Sequence, residues 1–222
     1  DTPGNDRQSC TAFAQRHGAC SPDQAERTCI MTIVKKTGDN HMMPEARVWT
    51  REEMMKRVAL FKDQSGSKEG LPESHLPQCE KELINIIGFR PPQDGSMESP
   101  VGANSSKRAA IDIYEGFNMG FVKCKPGKGP LMHNHDTNET FMPISGKWRC
   151  HWNEGDDYEY IDAGPCDVVS FPPGVIRRFS CVEAPEGEEE ALMMFVIGGE
   201  FPEAEYTEDA NRIIAEHDAA QA

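Results

Sequence analysis

The sequence predicts an all-β domain, a barrel or sandwich of short antiparallel strands with helices flanking it at both ends. Two observations predict this. From about Ala109, short runs rich in β-branched and aromatic residues alternate with Gly, Pro and Asp turns. On either side the pattern becomes helical, with a capping signal before Met54, Val58 and Phe61 and another before Ile213 and Ile214.

Taken in order, residues 1–46 carry no sustained periodicity and are polar, so they are expected to be disordered. The segment 47–108 is expected to pack a helix, a strand and a loop on the barrel. Thr50 with Glu53 forms a capping box, and Met54, Val58 and Phe61 share one face, which predicts a helix over 50–62 on the barrel exterior. The apolar, β-branched run at 83–87 reads as a strand, and the Pro- and Gly-rich stretch 90–107 as a loop. The barrel itself is placed at 109–199, with strands at 110–114, 117–124, 131–135, 139–144, 147–152, 159–162, 167–171, 177–182 and 192–197. In 200–222, Thr207 caps a closing helix that runs to about His217, with Ile213 and Ile214 as its apolar anchor. The acidic run 186–190 reads as a solvated hairpin tip.

The net charge of −14 argues against nucleic acid as a partner, because phosphates are repelled. No apolar run approaches the roughly 20 residues of a membrane span. None of the eight cysteines forms a C-x-x-C pair, so no zinc ribbon is expected. Cys10, Cys20 and Cys29 read as free thiols, with disulfides as the alternative, and the other five read as small apolar side chains. That usage leans towards a cytoplasmic protein. Met31 opens a stretch that reads as a native start, with residues 1–30 as leader or vector sequence.

The stretch Gly127 to Gly146 is the most informative. Five residues separate Gly127 from His133, one separates His133 from His135, three lead to Glu139 and six to Gly146. Two histidines at i and i+2 on a strand point to the same face. Glu139 follows the short turn Asp136, Thr137, Asn138, at the start of the next strand. Three donors then converge inside a barrel. Two imidazoles and a carboxylate suit one divalent transition metal, Fe(II) first, with Mn, Ni, Co or Zn as alternatives. Gly127 and Gly146 fit sharp turns at either end.

With those residues in place, the segment resembles the first motif of the cupin superfamily, whose members are small antiparallel jelly-roll barrels. The second motif of that family reads Gly, five residues, Pro-x-Gly, two residues, His, three residues, Asn. Pro172, Pro173 and Gly174 match it, but Cys166 replaces the Gly, Arg177 the His ligand and Cys181 the Asn. The resemblance spans roughly residues 109–199. It implies a cupin jelly-roll β-barrel with His133, His135 and Glu139 as metal ligands, and a homodimer. Reaction type is left open, since the superfamily holds oxygenases, lyases, isomerases, decarboxylases and non-catalytic binders.

With Arg177 in place of a fourth ligand, three protein ligands leave positions open for substrate, water or O2. An inward Arg177 raises the local charge to about +2 with a divalent metal, which is costly to bury without an anion. Arg177 is therefore the candidate for binding a carboxylate on a small anionic substrate; the alternative is that it pairs with a protein carboxylate or turns outward. Phe141 and Trp148, with Phe179 and Met193, are the candidates for lining the pocket, against ordinary core packing. His151 is expected outside, opposite Trp148, Cys150 and Trp152. The first functional expectation is an oxygenase acting on a small acidic organic molecule. A non-redox lyase or isomerase and a non-catalytic ligand-binding protein are the alternatives.

Overall fold

The computed structural model describes residues 47–89, 99–113 and 115–221. The chain divides into Asp1–Val48 and Trp49–Ala222, and the architecture below belongs to the second unit. The expectations for residues 1–46, including Cys10, Cys20, Cys29 and the start at Met31, lie outside the described residues.

Ten strands form two five-stranded sheets among the described residues. In chain order they are β1 (Glu82–Ile87), β2 (Phe117–Cys124), β3 (His133–His135), β4 (Glu139–Pro143), β5 (Lys147–Trp152), β6 (Glu159–Ala163), β7 (Val169–Phe171), β8 (Arg177–Glu183), β9 (Ala191–Gly198) and β10 (Ala204–Tyr206). One sheet runs β1-β2-β9-β4-β7 and the other β10-β3-β8-β5-β6, with every named pair antiparallel. The chain crosses between the sheets repeatedly, notably from β3 to β4 at residues 136–138. This is the antiparallel jelly roll that the motif predicts.

The strands follow from period-two burial. In β9, alternate residues Ala191, Met193, Phe195 and Ile197 are buried while their neighbours are only partly so. Between the sheets lies one core of Phe141, Trp148, Phe171, Phe179, Met193 and Phe195, among others. Burying each such side chain contributes roughly 1.5–3 kcal/mol. The Trp148 indole N–H is not orphaned by this burial, because it donates to the Ser145 carbonyl at 3.0 Å.

The turn glycines behave as their positions require. Gly127 and Gly146 have φ of 82° and 72°. A Cβ on Gly146 would lie 2.5 Å from the Ala191 Cβ and 2.4 Å from the Glu183 carbonyl oxygen, so no other residue fits. Cys166, which stands where the second cupin motif has glycine, also adopts a positive φ of 72°. The turn geometry is retained without its usual residue, at a backbone cost of roughly 1–2 kcal/mol.

Several expectations need correction. The helix predicted over 50–62 is a single turn, α1 (Arg51–Met55), followed by a separate 3-10 turn at Phe61–Asp63. Its capping box is present, with Glu53 N–H donating to Thr50 Oγ1 at 3.1 Å. Phe61 does reach the barrel, edge-on to Phe121 of β2 with ring centroids 5.1 Å apart, but it comes after the helix has ended; Met54 and Val58 stay exposed, and a short helix is marginal without such packing. In place of a strand at 110–114 there is one bridge, Ile87 to Ile111, and Tyr114 lies outside the described residues. The loop at 90–107 contains a helical turn, α2 (Gly102–Ser105). The closing helix α3 (Glu208–Gln221) starts where Thr207 Oγ1 accepts from Ala210 N–H at 3.2 Å. Of its two expected anchors only Ile214 packs, against a cluster of Leu76, Cys79, Leu131 and Ala210, while Ile213 is exposed. Strand β10 had no sequence signal of its own. It exists because β3 offers it an edge, pairing Ala204 with His135 and Tyr206 with His133.

Cys79, Cys124, Cys150 and Cys181 are buried free thiols, as small apolar side chains would be, and Cys166 is exposed. No helix among the described residues is long and apolar enough to cross a membrane.

Candidate metal centre

His133 and His135 lie at the two ends of β3 and Glu139 opens β4, so a three-residue turn brings all three side chains together. Their ligand atoms lie within 4.8 Å of one another. His133 is half-buried, and His135 and Glu139 are buried.

The ring nitrogens are already assigned by their partners. His133 Nδ1 donates to the Leu131 carbonyl at 2.8 Å, and His135 Nδ1 donates to the Glu203 carbonyl at 2.7 Å. A carbonyl can only accept, so each proton sits on Nδ1 and each Nε2 keeps its lone pair. Backbone support of this kind fixes the tautomer and aim of a metal-binding histidine. Burial, and then the neighbouring His135, push His133 down to about 4. Burial, and then the Arg177 cation, push His135 down to about 3. Both imidazoles are therefore neutral near physiological pH, as ligation requires. Burial pushes the Glu139 carboxyl up, opposed by Arg177. The donor set thus fits one divalent transition metal, and His133, His135 and Glu139 would hold it.

Arg177 is fully buried on β8 and is the register partner of His133. Its Nε donates to Glu139 Oε2 at 3.1 Å and its Nη1 to the Val175 carbonyl at 3.0 Å. Its Nη2 is buried with no hydrogen-bond acceptor among the described residues. Of the two sequence readings, the pairing with a protein carboxylate is the one observed, and that carboxylate belongs to the candidate metal-binding set. Arg177 is not among the residues lining the cavity described below.

A cavity of about 240 Å³ opens onto the three ligands. Leu71, Pro72, Leu83, Pro130, Phe179 and Phe195 supply its apolar wall. Phe141 and Trp148 are absent from that lining. They are 1% and 0% exposed, packed among other core side chains, because the barrel is narrow enough for facing aromatics to fill it. Phe179 is the one of the four aromatic and Met candidates that lines the cavity.

Three cavity residues escaped the sequence reading. Glu73 and Lys81 form a buried ion pair at 2.6 Å, and the Tyr206 hydroxyl donates to the other Glu73 oxygen. Burial works to raise the Glu73 carboxyl. The Lys81 charge and the hydrogen bonds from Lys81 and Tyr206 outweigh this and hold it below the usual range. Tyr206 sits beside His133, ring centroids 6.3 Å apart. A signal for Lys81 existed: it stands two and four residues before Leu83 and Asn85, so strand alternation puts it on their buried face.

His151 is also corrected. It lies on the outer face of β5 as expected, yet it is only 3% exposed. Tyr158 hydrogen-bonds its Nδ1 and Ser180 Oγ its Nε2, at 2.9 Å for the latter. Tyr158 and Tyr160 pack near the ring and cover it.

A jelly roll carrying two histidines and a glutamate at an internal cavity is the class of protein that the cupin resemblance predicts. No family model and no curated protein matches the chain. Among solved structures, an oxalate oxidase is similar at 13% identity and a TM-score of 0.44, over 68% of this chain and 64% of that one. A vicilin from Solanum melongena is similar at 10% identity and 0.46, over 71% and 36%. A structure of DMSP lyases is similar at 10% identity and 0.40, over 58% and 53%. The match thus covers less than two thirds of each of these proteins. At such values the neighbours assign no activity.

Proposed function

We propose that this chain is a mononuclear metal-dependent enzyme that acts as an oxygenase on a small acidic organic molecule. The observation carrying this reading is the disposition of the three ligands. Each has a lone pair turned to a mostly apolar cavity, and among the described residues no fourth protein ligand closes the site. When bound, the metal would supply Lewis acidity and, if it is iron, a route for electrons to O2. The protein's own contribution is to hold both imidazoles in the Nδ1–H tautomer, keep the ligands dry and orient Glu139 through Arg177. Arg177 is thus a positioning residue that acts through Glu139 and adds positive charge behind the site. The cationic balance favours an anionic substrate.

Metal content of protein purified without added metal, followed by O2 uptake with a panel of small acids, tests this. Near-stoichiometric iron with substrate-dependent O2 uptake is expected. Bound Zn, Ni or Mn with no uptake overturns the oxygenase assignment.

A non-redox lyase or isomerase is the second reading. It is favoured by Glu73 and Tyr206, a carboxylate and a hydroxyl on the same cavity wall. Turnover without O2 is its expected signature.

A further inference from the structure

The cavity lining carries two polar groups. One is His133, His135 and Glu139, and the other is Lys81, Glu73 and Tyr206, with Tyr206 the strand partner of His133. The second group is built from distant parts of the chain. Lys81 and Glu73 come from the segment before β1, and Tyr206 comes from β10.

The pair is expensive to bury. Desolvating two charges costs several kcal/mol per ion, recovered only with good geometry and further hydrogen bonds. Glu73 has that support, since one oxygen accepts from Lys81 and the other from Tyr206. Lys81 does not. An ammonium has three N–H donors. One goes to Glu73 at 2.6 Å and a second reaches the Cys79 carbonyl at a weak 3.4 Å. The third has no acceptor among the described residues, and Lys81 lines the cavity.

Charge points the same way. Glu73 and Lys81 cancel each other. A divalent metal with Glu139 and Arg177 leaves the enclosure at about +2, which a dianion balances and a monoanion does not. We infer that Lys81, held by Glu73 and Tyr206, binds a second carboxylate of the substrate, so that the site selects small dicarboxylic acids over monocarboxylic ones. This rests on the metal-site reading above and narrows its substrate class.

The test is binding, measured calorimetrically on Mn(II)-loaded protein. The probes are malonate, succinate and glutarate, against propionate, butyrate and valerate. At least one dicarboxylate is expected to bind about tenfold or more tightly than the monocarboxylate of equal carbon number, the scale of one charge-assisted hydrogen bond. Glu73→Gln with Lys81→Met removes both charges together, so neither is left unpaired. It is expected to keep its metal and reduce that preference to about threefold or less, while monocarboxylate affinity stays unchanged. If that variant does not fold, Glu73→Gln with Lys81→Gln keeps a hydrogen-bonded pair without charge and carries the same expectation. A wild type that binds both acid classes alike, or neither, overturns the inference. So does a neutral-pair variant that keeps the preference. Metal uptake without acid discrimination overturns this inference alone, whereas failure to take up metal overturns the metal-site reading and this inference with it.

Discussion

His151 and the pair His133–His135 are buried or half-buried histidines in the same sheet, yet they are finished differently. His151 faces away from the core and spends both ring nitrogens, one on Tyr158 and one on Ser180. His133 and His135 each spend Nδ1 on a backbone carbonyl and leave Nε2 to the shared cavity with Glu139. Low basicity does not separate the two regions, because burial lowers all three residues. The spare lone pair does. A histidine with one fixed and one vacant nitrogen is shaped for a ligand, while one with both nitrogens satisfied is part of the wall.

The largest expected effect tests that distinction directly. His135→Ala or Glu139→Ala should lower bound metal from near one ion per chain to about a tenth or less, as removing one of only three ligands implies. His151→Asn should leave metal content unchanged, measured by elemental analysis on folded protein. Equal metal loss in the His151 variant would break the comparison.

Next comes the cost of unpairing charge on the cavity side. Lys81→Met alone leaves Glu73 buried without its cation and should lose about 3–5 kcal/mol in denaturant unfolding. Pairing it with Glu73→Gln should recover most of that loss. A single variant as stable as wild type would mean that Glu73 takes up a proton at little cost.

Removing the metal should have a smaller effect. A chelator is expected to lower the thermal midpoint by about 5–10 °C, the scale of a ligand bound well above its Kd. The far-ultraviolet circular dichroism should persist, since Phe141, Trp148, Phe171 and Met193 hold the barrel core from outside the cavity lining. The same shift should appear in His151→Asn and vanish in His135→Ala.

The smallest effect concerns pH. Burial, and then the Arg178 and Arg149 cations, push His151 from 6.5 down to about 4. Between those values the unfolded chain binds the proton and the folded chain does not. The stability His151 contributes is therefore complete above pH 6.5 and is lost progressively as pH falls towards about 4. The wild type should lose on the order of 2 kcal/mol more than His151→Asn across that window. Parallel stability curves would show that the ring protonates in place.

Much of the barrel was legible because strand burial repeats every two residues. The i, i+2 spacing of His133 and His135 alone put both on one face, and the turn to Glu139 was short enough to return the chain to the same point. The flanks were harder to read. The capping box at Thr50 was correct, but a cap begins a helix and does not lengthen it, and of the apolar face after it Met54 and Val58 stay exposed while Phe61 packs on Phe121 from beyond the helix end. His151 was placed on the proper face and given the wrong burial. Alternation says which way a side chain points, and not that Tyr158 will fold over it.

The sequence by itself determined the β class, the convergence of His133, His135 and Glu139 and the turns at Gly127 and Gly146, since each rests on spacing within about 20 residues and on backbone sterics. Only the tertiary structure decided what faces those ligands. Glu73 and Tyr206 meet across 133 positions, and Tyr206 belongs to a strand that forms only against the edge of β3. Arg177 likewise turned to Glu139 instead of the cavity because both charges are buried and each serves as the other's counter-ion. Contacts of that kind depend on closure of the barrel, and no local pattern in the chain encodes them.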